Sequence, residues 1–368
     1  MYETEQLQTV MKKDHRNQVQ ESGSVLSGMH ESKKRRSMMI ILALLPFAAF
    51  LVSFTIGRYP VSVQEIMNIF FSKIFGLKPS WTPTIETVIF NVRMPRIFAA
   101  LLVGGALSLS GATYQGLFKN PMVSPDILGA SAGAGFGAAL AILMSFGVIG
   151  IQFSSFLFGI GAVIVSLLIS TAISKGNNAT LVLVLTGMVI SSLFASFISI
   201  TKYVADPDSK LPAITFWLMG GLSTIRTIDV KVIILPMLIG AIPLMLLRWK
   251  LNVLSFGEEE AKALGLDTAV LRVVNIGCST LLTASAVSIC GMVGWIGLII
   301  PHLARMLTGP NYKTLLPASL FLGSTFLLLV DDVARSAFSV EIPLGILTSL
   351  FGAPFFLYLL MKGKRGWV

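Results

Sequence analysis

From Met38 onward the chain keeps returning to apolar runs of about 20 residues, the length a helix needs to cross the hydrocarbon core of a bilayer. These runs lie near 38–57, 94–118, 123–146, 151–173, 180–202, 228–248, 273–292, 295–309, 314–333 and 342–361. Lipid cannot hydrogen-bond a backbone, so each crossing must satisfy its own N–H and C=O groups as a helix. The pattern predicts an all-α polytopic membrane protein of about ten transmembrane helices. Charge agrees: 12% of the 368 residues are charged, against about 25% in an ordinary soluble domain.

The net charge of +10 does not indicate nucleic acid, because the basic residues sit between apolar spans instead of forming one stripe. They report topology. With the N-terminus cytosolic, ten spans return the C-terminus to the cytosol, and the larger share of the 28 basic residues falls inside. That share includes Lys12, Lys13, Arg16, Lys33 to Arg36, Lys119, Lys175, Arg248, Lys250, Lys262, Arg272, Arg305, Lys313, Lys362, Lys364 and Arg365. Residues 1–37 are polar and lack apolar periodicity, which suits a disordered cytosolic tail. The first apolar run has a signal peptide's basic flank but no small-residue cleavage site, so it is expected to stay as a span. Cys278 and Cys290 are separated on a helix by roughly 18 Å, beyond disulfide reach.

Leu101, Leu102, Ala106, Ser108, Gly111, Pro121 and Gly129 recur 180 positions later as Leu281, Leu282, Ala286, Ser288, Gly291, Pro301 and Gly309. In the expected topology the two copies run in opposite directions, as in inverted-repeat transporters; chance composition is the competing account. Small residues crowd 104–137, where they let helix backbones approach closely.

A polar connector at 252–272 interrupts the late spans on the expected cytosolic side. Ser255 and Glu258 have capping-box spacing for a short helix. Gly265 suits its left-handed end, and Asp267 can cap a second short helix over Thr268–Arg272. By itself this is either a solvated connector or a docking knob for a soluble partner.

Several motifs resemble one family. Glu259-Glu260-Ala261 with Leu264-Gly265 looks like the coupling segment of FecCD-type permeases, the membrane subunits of ATP-driven iron-chelate, haem and cobalamin importers. In family order come Arg93-Met-Pro-Arg96, Gly104 to Gly111, Gln115 to Pro121, Pro125 to Gly129, Phe216 to Gly220, Gly297 to Arg305, and Glu341 to Phe355. The resemblance implies a cobalamin-importer-permease-like fold in a bacterial inner or plasma membrane. It also implies a homodimer with two copies of a separate ATPase and an extracytoplasmic substrate-binding lipoprotein. Its coupling residues would be Ser255, Gly257, Glu258, Glu259, Glu260, Ala261, Leu264 and Gly265. Arg93, Arg96 and Arg335 would meet carboxylates of the binding protein, where Arg forks act bidentately; interfacial snorkelling is the alternative. Asn120, Met122, Ala179 and Thr180 match cytosolic gates by position, although a hydroxyl residue is usual at Ala179 and Asn120 also suits plain turn chemistry.

No GxxxxGK[ST] phosphate loop occurs, so ATP and its Mg²⁺ are expected on the partner, with no cofactor or metal on this chain. His302 has no second ligand spaced with it. Asp331 and Asp332 end a span beside Arg335, where ion pairing fits better than a proton relay. An ion-coupled secondary transporter would need ionisable groups near the middle of several spans, and almost none occur. An intramembrane enzyme would need a set such as HExxH or GxSxG, and neither occurs. The expected cargo is an iron-siderophore, with haem or cobalamin as alternatives inside the family.

Overall fold

The computed structural model describes residues 36–76, 81–173 and 179–362. The expected tail therefore lies outside the described residues except for Arg36 and Ser37, as do Lys175, Lys364 and Arg365. Every described regular element is a helix. Seven are long and apolar enough to cross a membrane: α1 (Arg36–Ser53), a continuous segment Pro83–Leu117, and Val148–Ile173, Thr180–Val204, Thr227–Phe256, Thr268–Cys290 and Tyr312–Ser336. Three shorter apolar helices accompany them, at Ala130–Leu143, Ile296–Thr308 and Leu344–Tyr358. Each of the ten apolar runs overlaps one of these helices. Among the described residues, the number long enough to cross unaided is seven.

The remaining elements complete the chain order. α2 (Val63–Phe75) follows α1, and Pro83–Leu117 divides into α3 (Pro83–Thr87), a π-turn at Val88–Arg93 and α4 (Met94–Leu117). Pro95 lacks the N–H that would close the ordinary helical bond, which accounts for the widened turn just before it. A 3₁₀ turn at Pro125–Leu128 precedes α5 (Ala130–Leu143), α6 (Val148–Ile173) and α7 (Ala179–Val204). Then come α8 (Lys210–Met219), α9 (Thr227–Phe256), α10 (Glu258–Ala263), α11 (Thr268–Cys290), α12 (Ile296–Thr308), α13 (Tyr312–Ser336) and α14 (Leu344–Lys362).

α4 is the axis of the bundle. In its segment 83% of the apolar window is buried, against 17% for α1 and α7. α13, α11, α12 and α9 pack around it. Small residues make that possible. A Cβ on Gly104 would lie 2.2 Å from the carbonyl oxygen of Gly323, and one on Gly111 only 1.9 Å from that of Gly297. Gly133 and Gly137 of α5 meet α6 in the same way, with backbone oxygens 2.5 Å from a built Cβ. Hydroxyls then bond across the close contacts. Ser108 Oγ donates to Ser319 O at 2.7 Å, Ser324 Oγ to Leu101 O at 2.7 Å and Ser110 Oγ to Ser279 O at 3.1 Å. The small residues of 104–137 therefore pack helices.

At two of the seven matches in the recurrence at an offset of 180 the backbone differs. Gly111 lies inside α4, whereas Gly291 is the C-cap of α11 with φ +71°. Pro121 sits in the turn after α4, whereas Pro301 is inside α12. At these two positions the matching letters serve different local geometries, while Leu101, Leu102, Ala106 and Ser108 and their counterparts in α11 are all helical.

A clean test contrasts two helical glycines. Gly111→Ala drives a methyl into backbone, and overpacking of this kind costs about 1–3 kcal/mol. Gly161 in α6 has nothing within 4 Å of a built Cβ, so Gly161→Ala should cost nothing. Thermal unfolding in detergent should separate the two; equal melting temperatures would contradict the close α4–α12 approach.

Candidate functional site

α4 and α13 run antiparallel, which defines two ends of the bundle. At one, Arg96 in the first turn of α4 meets Asp331 near the end of α13. At the other, Gly116 packs on the ring of Tyr312.

The Arg96 end is a charge cluster. Arg96 binds Asp331 as a fork, with Nε 2.9 Å from Oδ2 and Nη2 3.0 Å from Oδ1. Its third nitrogen, Nη1, lies 2.9 and 3.0 Å from the two oxygens of Glu341. Arg335 donates to Ser53 O at 2.7 Å and to Asp332, and Ser53 Oγ donates to Asp332 at 2.6 Å. Arg93 donates to the carbonyls of Phe54 and Tyr59 in the turn that follows α1. Three guanidinium groups thus share this site with three carboxylates. The expected ion pairing of Asp331 and Asp332 is present.

The family resemblance assigned Arg93, Arg96 and Arg335 to carboxylates of a binding protein. The structure turns all three inward, at 3%, 6% and 5% exposure. The reason is electrostatic: at this depth a cation needs a carboxylate or carbonyl, and the chain supplies its own. Of the carboxylates only Glu341 reaches the rim, with its side chain 31% exposed. Beside the cluster a cavity of about 320 Å³ is lined by Gln152, Trp217, Ser223, Thr224, Ser288 and Glu341 among others, and among the described residues Arg96 is its one cationic lining residue.

The opposite end carries the connector between α9 and α11. The expected capping box does not form. Ser255 belongs to the last turn of α9 and donates to Asn252 O at 2.6 Å, while Gly257 is the N-cap of α10. Because α9 runs on to Phe256 and α11 starts at Thr268, the free connector is 257–267, shorter than the expected 252–272. Gly265 has φ +79°, as expected. Its N–H donates to Lys262 O at 2.9 Å and that of Leu266 to Ala261 O at 3.0 Å, a Schellman ending. Asp267 does cap, accepting from Ala269 and Val270 N–H at 3.0 Å, but it caps the long α11 and no second short helix exists.

Ala261 of α10 is buried on the helix's underside, and Glu258 pairs with Arg272 of α11, so the short helix is anchored from below and from the side. Glu259 and Glu260 are exposed. So are Phe256 (78%) and Leu264 (69%), two apolar side chains flanking an acidic ridge. Sequence spacing did not single out Phe256. Its place one residue before the N-cap glycine is the signal.

The expected gate residues are also at this end. Asn120 Oδ1 accepts from Met122 N–H at 2.9 Å, which is ordinary turn chemistry, and Met122 is exposed. Ala179 opens α7 and Thr180, half-buried, follows it. The 3₁₀ turn after Met122 packs on α7, with Ile127 O only 2.2 Å from a Cβ built on Gly187.

Comparison with known proteins follows the same length of chain. The FecCD transport family model matches residues 42–362. The molybdate import system permease protein MolB of Haemophilus influenzae is 45% identical over 325 residues, covering 88% of this chain and 95% of its own. A probable iron chelatin transport system permease protein of Helicobacter pylori is 40% identical over 281 residues, covering 76% and 84%. The cobalamin import system permease protein BtuC of Halobacterium salinarum is 39% identical over 279 residues, covering 75% and 74%. A solved structure described as an inward-facing conformation of a metal-chelate type ABC transporter superposes with a TM-score of 0.80 at 42% identity, covering 89% of this chain and 99% of that one.

The Arg96 cluster has a measurable consequence. Removing one partner of a buried ion pair strands the other, at a cost of about 3–5 kcal/mol, whereas an exposed pair is worth about 0.2–1 kcal/mol. Arg96→Ala should therefore lower unfolding stability in mixed micelles by the larger amount. The double change Arg96→Met with Asp331→Leu should recover much of it. A single-mutant cost under about 1 kcal/mol would place the pair in water.

Proposed function

Because the chain belongs to the FecCD transport family and is the membrane permease of an ATP-binding-cassette importer, we propose that its cargo is an iron-siderophore or a related metal chelate. The observation that carries this is the neutral cavity at the Arg96 end. Its one cationic lining residue is already held by Asp331 and Glu341, so the wall offers no unmatched positive charge to a bare oxyanion. An encapsulated metal, whose charge is shielded by its ligand, needs apolar walls and a few hydroxyls. Leu222, Ile289, Ser223 and Thr224 supply them.

Molybdate is the second reading, supported by the 45% identity to a permease named for it. Two copies of the chain would then share one path, with a binding protein over the Arg96 end. The arginines would act there by fixing the rim, through Glu341 and the exposed Arg58, which donates to Arg335 O and Phe338 O at 3.4 Å. Two ATPase subunits would receive α10, with Leu264 and Phe256 entering an apolar cleft and the Glu259–Glu260 ridge meeting basic residues. In this arrangement both termini are cytosolic, which agrees with the basic residues near that face.

Reconstituted with its ATPase and binding protein, the importer should accumulate radioactive iron supplied as a siderophore and leave molybdate outside. Accumulation of molybdate alone would overturn the chelate reading in favour of the second. The connector is tested in the same vesicles. Gly265→Val puts a β-branched residue at φ +79° in open space, so its effect is backbone strain of about 1–3 kcal/mol and no clash. Uptake should fall while the chain stays inserted, and Gly265→Asn, which tolerates this conformation, should keep most of it. Normal uptake and normal ATPase co-purification for the Val variant would refute the coupling role.

A further inference from the structure

The segment between α1 and α4 contains a helix that no expected span covered. α2 opens with a complete capping box: Ser62 Oγ accepts from Glu65 N–H, and the Glu65 carboxylate accepts from Ser62 N–H at 2.8 Å. It ends at the left-handed Gly76. One apolar face is used inside the protein. Ile66 and Ile69 are buried, and Phe70 sits between Phe54 (5.6 Å) and Phe90 (5.9 Å). Phe54 directly follows α1 and Phe90 lies in the π-turn that leads into α4, so this contact holds α2 across the ends of two spans.

A second apolar face has no protein against it. Val63, Met67, Phe71 and Phe75 are 63%, 51%, 49% and 66% exposed. Spaced by four, they drift only about 40° around the axis per step and form one stripe. The rings of Phe71 and Phe75 stack on it at 6.1 Å. Gln64 and Asn68, both exposed, lie along its edge. The helix therefore divides its circumference among protein, an apolar neighbour and water.

We infer that α2 lies in the surface of the membrane, with Val63, Met67, Phe71 and Phe75 dipping into the leaflet at the Arg96 end. The neighbour is lipid because the lipid-facing side of α1 leads to it: Ile40, Leu44, Phe47, Leu51 and Val52 are all exposed along that span. Groups typical of a membrane–water boundary surround the helix. Tyr59 is exposed at its start, Trp81 donates to Glu86 at 3.4 Å, and Lys73 pairs with Glu86 while lying 5.6 Å from the Phe90 ring centroid. Four large apolar side chains left in water would form an exposed patch of the kind that aggregates. Inserted, they brace the turn that carries the carbonyls bound by Arg93.

The assembled importer in nanodiscs tests this. Nitroxide labels are placed singly at Met67→Cys, Phe71→Cys, Gln64→Cys and Asn68→Cys, with the parent chain labelled in parallel to subtract Cys278 and Cys290. Labels at 67 and 71 should collide severalfold more with dissolved oxygen, relative to a water-soluble nickel chelate, than labels at 64 and 68. Equal ratios at all four positions would put the stripe in water and overturn the inference. Protection of 67 and 71 from both quenchers would overturn it too, by showing that a second copy or another protein covers the stripe. A drop in their oxygen collisions on adding the binding protein would identify that protein as the occupant instead.

Discussion

Charge that cannot be hydrated must be matched by opposite charge or by backbone carbonyls, and at the Arg96 end this rule ties the bundle together. Arg96 belongs to the central helix α4, Asp331 to α13, and Glu341 to the segment leading into α14. Arg335 reaches Ser53 of α1 from the same region. One connected set of charges therefore links three helices, α1, α4 and α13, and the segment that leads into α14. The pairs need not add net stability, since desolvation offsets much of the attraction. What they restrict is arrangement, because moving any one of the helices would leave a buried charge alone.

Close approach along the rest of α4 follows the same logic with weaker groups. Lipid gives no hydrophobic reward for bringing two helices together, so contact must come from dispersion and hydrogen bonds at short range. Gly104 facing Gly323 and Gly111 facing Gly297 provide the range. Ser108, Ser110 and Ser324 provide bonds to backbone oxygens of the neighbouring helix. The outer helices carry no such requirement: large apolar side chains on α1, α6, α7 and α9 face outward, where lipid is as good a partner as protein.

How much of this was legible in the sequence depends on how local its cause is. The apolar runs announced the helices because crossing length is a property of the run itself. Gly265 and Asp267 were readable for the same reason, since each acts within one turn. Ser255 misled, because its spacing to Glu258 fits a capping box while α9 in fact continues to Phe256. Arg96 was visible as a candidate docking residue, but its partners lie 235 and 245 positions away, and nothing in the pattern says which carboxylates a folded bundle brings to it. The same limit hid the internal partners of Arg93 and Arg335. α2 escaped notice because two apolar faces around a polar edge mimic neither a span nor an ordinary surface helix.

The two ends of the bundle are joined by one stiff element. α11 begins at the cap set by Asp267 and ends at Cys290, whose carbonyl accepts from Gly221 N–H at 2.8 Å in the wall of the cavity. At about 1.5 Å per residue, its 23 residues span roughly 35 Å. α10 engages the near end through the Glu258–Arg272 pair. The far end is held by Gly291, where a Cβ would lie 2.2 Å from Trp217 O, so α11 cannot shift there without moving α8. A force applied to α10 thus has a short mechanical route to the cavity wall. It passes through one ion pair, one helix and one glycine contact, while the charge cluster on α4 and α13 holds the frame against which α11 would move.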